Sequence, residues 1–181
     1  MMRDKADELF PLVGEDGSVV GSATRGVCHS GSMLLHPVVH LHVFDRSGRL
    51  YLQKRPEWKD IQPGKWDTAV GGHMDLGETV VEALSREVRE EIGLESFAPV
   101  FISRYVFESE RERELVHVFA AVVPDDALIV PSEELEGGRF WAVSDIEVQI
   151  GSEIFTPNFE NEYVNVLKPN LPEIMAMTKG R

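Results

Sequence analysis

Apolar residues fall into short alternating runs along most of the chain. In 38-VVHLHVF-44 polar side chains interrupt the apolar ones at every second place, and 49-RLYLQKR-55 repeats the habit. A period of two marks a strand. The intervening 45-DRSG-48 holds turn residues, so the two runs predict a hairpin. An earlier strand pair is expected between Leu9 and Thr24, turning at 14-GEDGS-18. Further strands are expected at 99-PVFISRYVF-107, 114-ELVHVFAAVV-123 and 138-GRFWAV-143, while 56-PEWKDIQPGKW-66, with two prolines and a glycine, reads as a loop.

The period changes once with force. Val80, Leu84, Val88 and Ile92 recur every fourth position, with Val81 beside them, and Gly93 follows as a stop. That predicts a helix over 79–92 with one apolar stripe. A short helix is expected from Ser144, read as its cap, and a last one from about 158 to 168. Many strands with few interleaved helices predict an α/β or α+β fold around a mixed sheet, with all of 1–181 in one domain.

Within the strong helix, Glu87, Glu90 and Glu91 stand at offsets of three and four, so they share a side next to the apolar stripe. They are expected at the edge of the core, partly desolvated. Like charges so spaced destabilise a helix by about 0.2–0.5 kcal/mol per pair. A hard divalent cation relieves that cost, and magnesium characteristically joins a few carboxylates to substrate phosphates. A solvated acidic face is the plainer alternative. Arg86 beside Glu87 can hold a carboxylate by a forked hydrogen bond, and Gly72 and Gly77 let backbone approach a bound group closely.

Composition narrows the partners. The 181 residues carry 31 acidic against 18 basic side chains, a formal net charge of −13. Nucleic acid and anionic membranes both call for a basic footprint, so neither is expected as a partner. Cys28 is the only cysteine, which rules out an internal disulfide and suits a reducing cytoplasm. The charged start, MMRDKADELF, lacks the apolar core of a secretory signal. A homodimer is left open.

The segment 72-GHMDLGETVVEALSREVREEIGL-94 resembles the Nudix box, G-x5-E-x7-R-E-U-x-E-E-x-G-U with U aliphatic. Gly72, Glu78, Arg86, Glu87, Val88, Glu90, Glu91, Gly93 and Leu94 fill every specified position. The resemblance implies the Nudix fold, a mixed β-sheet sandwiched between α-helices, and hydrolysis of a diphosphate linked to another moiety. It implies that Glu87, Glu90 and Glu91 ligate Mg2+ or Mn2+, or that one of them deprotonates the attacking water.

The runs 36-HPVVHLHVFDRSGRLYLQKR-55 and 65-KWDTAVGGHMDLGE-78 are similar to the branch that contains type I isopentenyl-diphosphate isomerase. In that branch three histidines and two glutamates bind a metal. The resemblance carries this set over to His29, His36, His73, Glu112 and Glu114, as a second metal site. Each also has a plain structural reading: His36 as a strand cap, His73 as an exposed loop residue, Glu112 and Glu114 as members of the charged run 108-ESERERE-114. The isomerase's proton-transferring cysteine corresponds to Gly71, and glycine holds no proton. The expected activity is therefore hydrolysis of a diphosphate linkage in a nucleoside diphosphate or related nucleotide derivative. An isomerase and a non-catalytic nucleotide sensor are the alternatives. Glu114 is counted among the catalytic candidates with Arg86 and the box glutamates. Lys54, Arg55 and Lys65 are candidate phosphate contacts, and Trp58, Trp66, Tyr105, Phe140 and Trp141 candidate stacking residues. His40 and His42 are read as packing or substrate-facing.

Overall fold

The computed structural model describes residues 6–59 and 61–179. Residues 1–5, on which the reading of the charged N-terminus partly rests, lie outside them, as does Asp60 of the expected loop. The N-terminal pair forms as β1 (Leu9–Val13) and β2 (Val19–Thr24). Gly17 supplies the positive φ its turn requires. A single helical turn, α1 (Arg25–Cys28), follows, capped by Thr24. It was not foreseen.

The hairpin of β3 (Leu35–Phe44) and β4 (Leu50–Lys54) is present, but its strands pair only beside the turn, Val43 with Tyr51 and Phe44 with Leu50. Beyond that they diverge. The gap is filled by a stretch the loop reading passed over: β5 (Trp66–Thr68) pairs with β4, and β6 (Val70–His73) crosses to pair with β3. On its other side β3 runs parallel to β8 (Arg113–Val122) along its whole length. β7 (Val100–Glu108) lines the far edge of β8, and β9 (Gly138–Trp141) pairs with β4. The result is a mixed α+β fold in which two diverging strands are bridged by two short consecutive ones.

Alternation along β3 separates two cores. Val39, Leu41 and Val43 meet α2 (Val80–Ile92) through Ala83, Leu84, Val88 and Ile92. Val81 does not join this stripe and faces solvent. Thr79 caps α2, reciprocated by Glu82, and Gly93 closes it in the left-handed region. On the opposite face Phe44, Leu50, Leu52 and Ala120 pack against the C-terminal helices through Phe159, Tyr163, Leu167 and Ile174.

That second helical layer corrects two expectations. Ala142, not Ser144, stands at the start of α3 (Val143–Gln149), with no side-chain cap. The last helix is longer than 158–168. α4 (Pro157–Glu162) passes through a wider turn, Tyr163–Leu167, into α5 (Lys168–Lys179). Pro169 follows the widened turn inside this continuous helical run and contributes no backbone donor to it. Pro172 further in removes one backbone donor, and the helix persists because Leu171, Ile174 and Met175 join the core. No helix among the described residues is long and apolar enough to cross a membrane.

Candidate metal and diphosphate site

The gap between β3 and β4 opens a cleft of about 540 Å3. One wall is α2. Arg86 organises this wall because its fork fits carboxylates. Its Nε donates to Glu78 Oε1 at 2.7 Å and its Nη2 to Glu78 Oε2 at 2.9 Å, while Nη1 donates to Glu87 Oε1 at 2.7 Å. Nη2 also donates to the His73 carbonyl at 2.9 Å, tying helix to strand. This bonding to Arg86 holds the Glu78 carboxyl below its usual range.

Glu87 and Glu91 lie against the glycine pair of β6. A Cβ on Gly72 would overlap the Glu87 carboxylate. The Gly71 N–H donates to Glu91 Oε2 at 3.2 Å. Burial raises both carboxyls, with Glu87 adding to the effect on Glu91, which is pushed up to about 8. Glu90 departs from expectation. Its side chain is 56% exposed, touching Arg86 at 3.4 Å. Two of the three box carboxylates are thus desolvated and one stands at the cleft mouth. Carboxylates raised by burial and mutual repulsion are a donor set that a hard cation suits.

The histidines converge. One ligand atom from each of His29, His36, His73 and Glu114 lies within 4.8 Å of the others. β3 brings His36 opposite Glu114 of β8, and β6 brings His73 opposite Val38, so the strand register assembles three of the four. His29 follows α1, and its Nε2 stands 3.1 Å from His73 Nε2. Glu112 approaches from the side at His29, 3.3 Å away, outside the four-residue cluster. His36 Nδ1 lies 3.0 Å from the Leu34 carbonyl, an acceptor, so the Nδ1 carries the proton and Nε2 keeps its lone pair. That Nε2 is buried without a hydrogen-bond partner among the described residues. Burial lowers His36 and brings His29 to about 4, with the His73 ring adding to the effect on each. Neutral imidazoles, an orphaned buried nitrogen and a carboxylate fit a borderline divalent ion. The Phe10 ring of β1 lies flat over His73, 4.6 Å between centroids.

Other sequence candidates disperse. Of the cations, Arg55 lines the cleft, but its guanidinium clamps the carbonyls of Ile61 and Gln62. Lys54 pairs with Glu136, and neither it nor Lys65 lines the cleft. Trp66, Phe140 and Trp141 pack in the cores, Tyr105 bonds to Glu162, and Trp58 is exposed away from the cleft lining. Sequence reading missed Lys59 and Gln53, which do line it. Gln53 offered a signal, as a polar residue directly after the apolar run Leu50–Leu52.

The NUDIX domain pattern matches residues 34–159. The chain belongs to the Nudix family. Among relatives, an uncharacterized Nudix hydrolase of Streptomyces coelicolor is 27% identical over 166 residues, covering 91% of each chain. An isopentenyl-diphosphate Delta-isomerase of Leifsonia xyli is 39% identical over 86 residues, 48% of this Nudix chain and 46% of the isomerase. The match thus spans less than half of that relative's length. The fold is shared with a Deinococcus radiodurans protein, at a TM-score of 0.71 and 23% identity, covering 85% of this chain and 96% of that one. A MutT protein of Methanosarcina mazei has a TM-score of 0.58 and 22% identity, over 81% and 96%.

Proposed function

We propose that this Nudix protein is a metal-dependent hydrolase that cleaves a diphosphate linkage in a nucleoside diphosphate or a related nucleotide derivative. The observation that carries the reading is the convergence of Glu87 and Glu91 on the Gly71–Gly72 backbone in the cleft wall, with Arg86 fixing Glu87. Glu87, Glu90 and Glu91 would hold Mg2+ or Mn2+. When bound, such an ion neutralises a diphosphate and acidifies water. Glu91, the most deeply desolvated of the three and raised by burial and by Glu87 in the metal-free protein, would take the proton from the attacking water. Arg86 orients the carboxylates, and the glycine pair lets them approach the strand. His29, His36, His73 and Glu114 would hold a second ion, of the zinc or manganese type, with Glu112 beside them.

The test is a screen of nucleoside di- and triphosphates, nucleotide sugars, dinucleotides and thiamine diphosphate with magnesium or manganese. Phosphate or nucleoside monophosphate release from at least one is expected. A blank across the whole screen sinks the reading, and tight binding without turnover in a parallel calorimetric titration would favour a nucleotide sensor.

The assembled histidine cluster and the half-length likeness to isomerases favour a second reading, isomerisation of isopentenyl diphosphate. Gly71 argues against it, since that position has no side chain to carry a proton. Conversion to the dimethylallyl isomer, abolished by Glu114→Gln, would establish this reading in place of the first.

A further inference from the structure

Behind the cleft floor lies a buried carboxylate that the proposed hydrolysis does not use. Glu162, at the end of α4, is 1% exposed and yet faces three donors. Tyr105 Oη donates to its Oε2 at 2.5 Å, His40 Nδ1 stands 2.8 Å from the same oxygen, and His42 Nε2 lies 2.5 Å from Oε1. A lone carboxylate is costly to bury, so its partners must hold it as a set. Its position depends on the C-terminal helix, which widens immediately after it, where Lys168 N–H reaches back to the Tyr163 carbonyl. Such widened turns recur at functional sites.

His40 is the member of this set that reaches the cleft. It lines the cavity, and its side chain is 18% exposed. With Nδ1 turned to Glu162, Nε2 has no hydrogen-bond partner among the described residues. It points to the strand opposite, where a Cβ on Gly71 would stand 3.3 Å away. The absent side chain leaves this ring edge open to the same cleft that holds Glu87 and Glu91. Burial works against a charge on His40, but the Glu162 charge and hydrogen bond outweigh it and hold the imidazole up at about 9. A fixed cationic donor in the cleft that also holds Glu87 and Glu91 has an obvious complement in a phosphate oxygen.

We infer that His40 binds the diphosphate of the substrate through its Nε2–H, with Glu162 as the buried counter-charge that positions it. The inference rests on the hydrolase reading for its ligand and adds a residue outside the box.

The probe is methylenediphosphonate with magnesium, a diphosphate that cannot be hydrolysed. Its affinity is measured by calorimetry for the unaltered protein, for His40→Asn, and for His40→Asn combined with Glu162→Gln, which leaves no unpaired buried charge. The imidazole nitrogens of the unaltered protein are followed by NMR. Both variants should bind about tenfold more weakly or worse, the scale of one charge-assisted hydrogen bond. The His40 Nε2 resonance should move on saturation. A folded double variant that binds as tightly as the parent, or a His40 resonance unmoved at saturation, overturns the inference. If neither variant folds, the resonance alone decides. A protein that turns over a substrate in the screen and fails only these tests retains the hydrolase reading. One that neither binds the probe nor turns anything over loses both.

Discussion

Glu91 concentrates the electrostatic tension of the site in one side chain. Its carboxyl is moved from the ordinary 4.5 up to about 8 by burial and by Glu87. The folded state therefore holds a proton that the unfolded state releases between those values. In the metal-free protein this group's contribution is complete below pH 4.5 and is lost as pH rises through about 8. Glu91→Gln should flatten that decline in thermal unfolding measured across the range, and should leave the fold as stable or more so. The same substitution should lower turnover by several orders of magnitude if Glu91 serves as proposed, and near-normal rates at saturating magnesium would remove it from the chemistry. His29 behaves in the opposite sense. An unperturbed imidazole would lose its metal as pH falls through about 6.5. Burial and the His73 ring bring His29 down to about 4, and His36 is lowered too, so protons compete later. Zinc or manganese titrations should find the affinity of this cluster still close to its neutral-pH value at about pH 6.

Among the elements, β6 carries the most function per residue. Gly72→Ala would drive a methyl group into the Glu87 carboxylate. Displacing a packed neighbour costs about 1–3 kcal/mol. The variant should unfold at lower temperature and lose most of its activity, and full activity in it would show that Glu87 can stand elsewhere. This strand also marks where sequence reading ran short. The hairpin, α2 and the long strands were legible because each repeats its own period over enough residues. β5 and β6 are too short to show one, β6 is half glycine, and β6 pairs past β4 with the earlier β3. The histidine set was legible only through resemblance, because what assembles it is the register of β3 against β6 and β8. The role of Glu162 was hidden altogether. It stands on an unremarked polar face of the last helix, and only the docking of that helix carries it under β3.

Across the whole molecule, the net charge of −13 places the chain under self-repulsion, and the carboxylates of the cleft are its most confined part. An ion that binds only the folded state stabilises it by mass action, by about 2.7 kcal/mol at a hundred times its dissociation constant. For a chain of this size each kcal/mol moves the midpoint by about 2–4 °C. Magnesium at that excess should therefore raise the unfolding temperature by roughly 5 °C or more, an increment that Glu87→Gln should reduce; an unchanged increment would place the ion elsewhere. The parallel pairing of β3 with β8 has a consequence in time as well as in space. His36 meets Glu114 across that ladder, although well over a third of the chain lies between them. Joining strands so distant in sequence is slow, since the intervening loop must close before any contact compensates for it. The hairpin and α2 can form early from local signals, but the four-residue cluster exists only when that ladder has closed. A colorimetric ion captured there during refolding would time the completion of the sheet, arriving after the helix signal has already saturated.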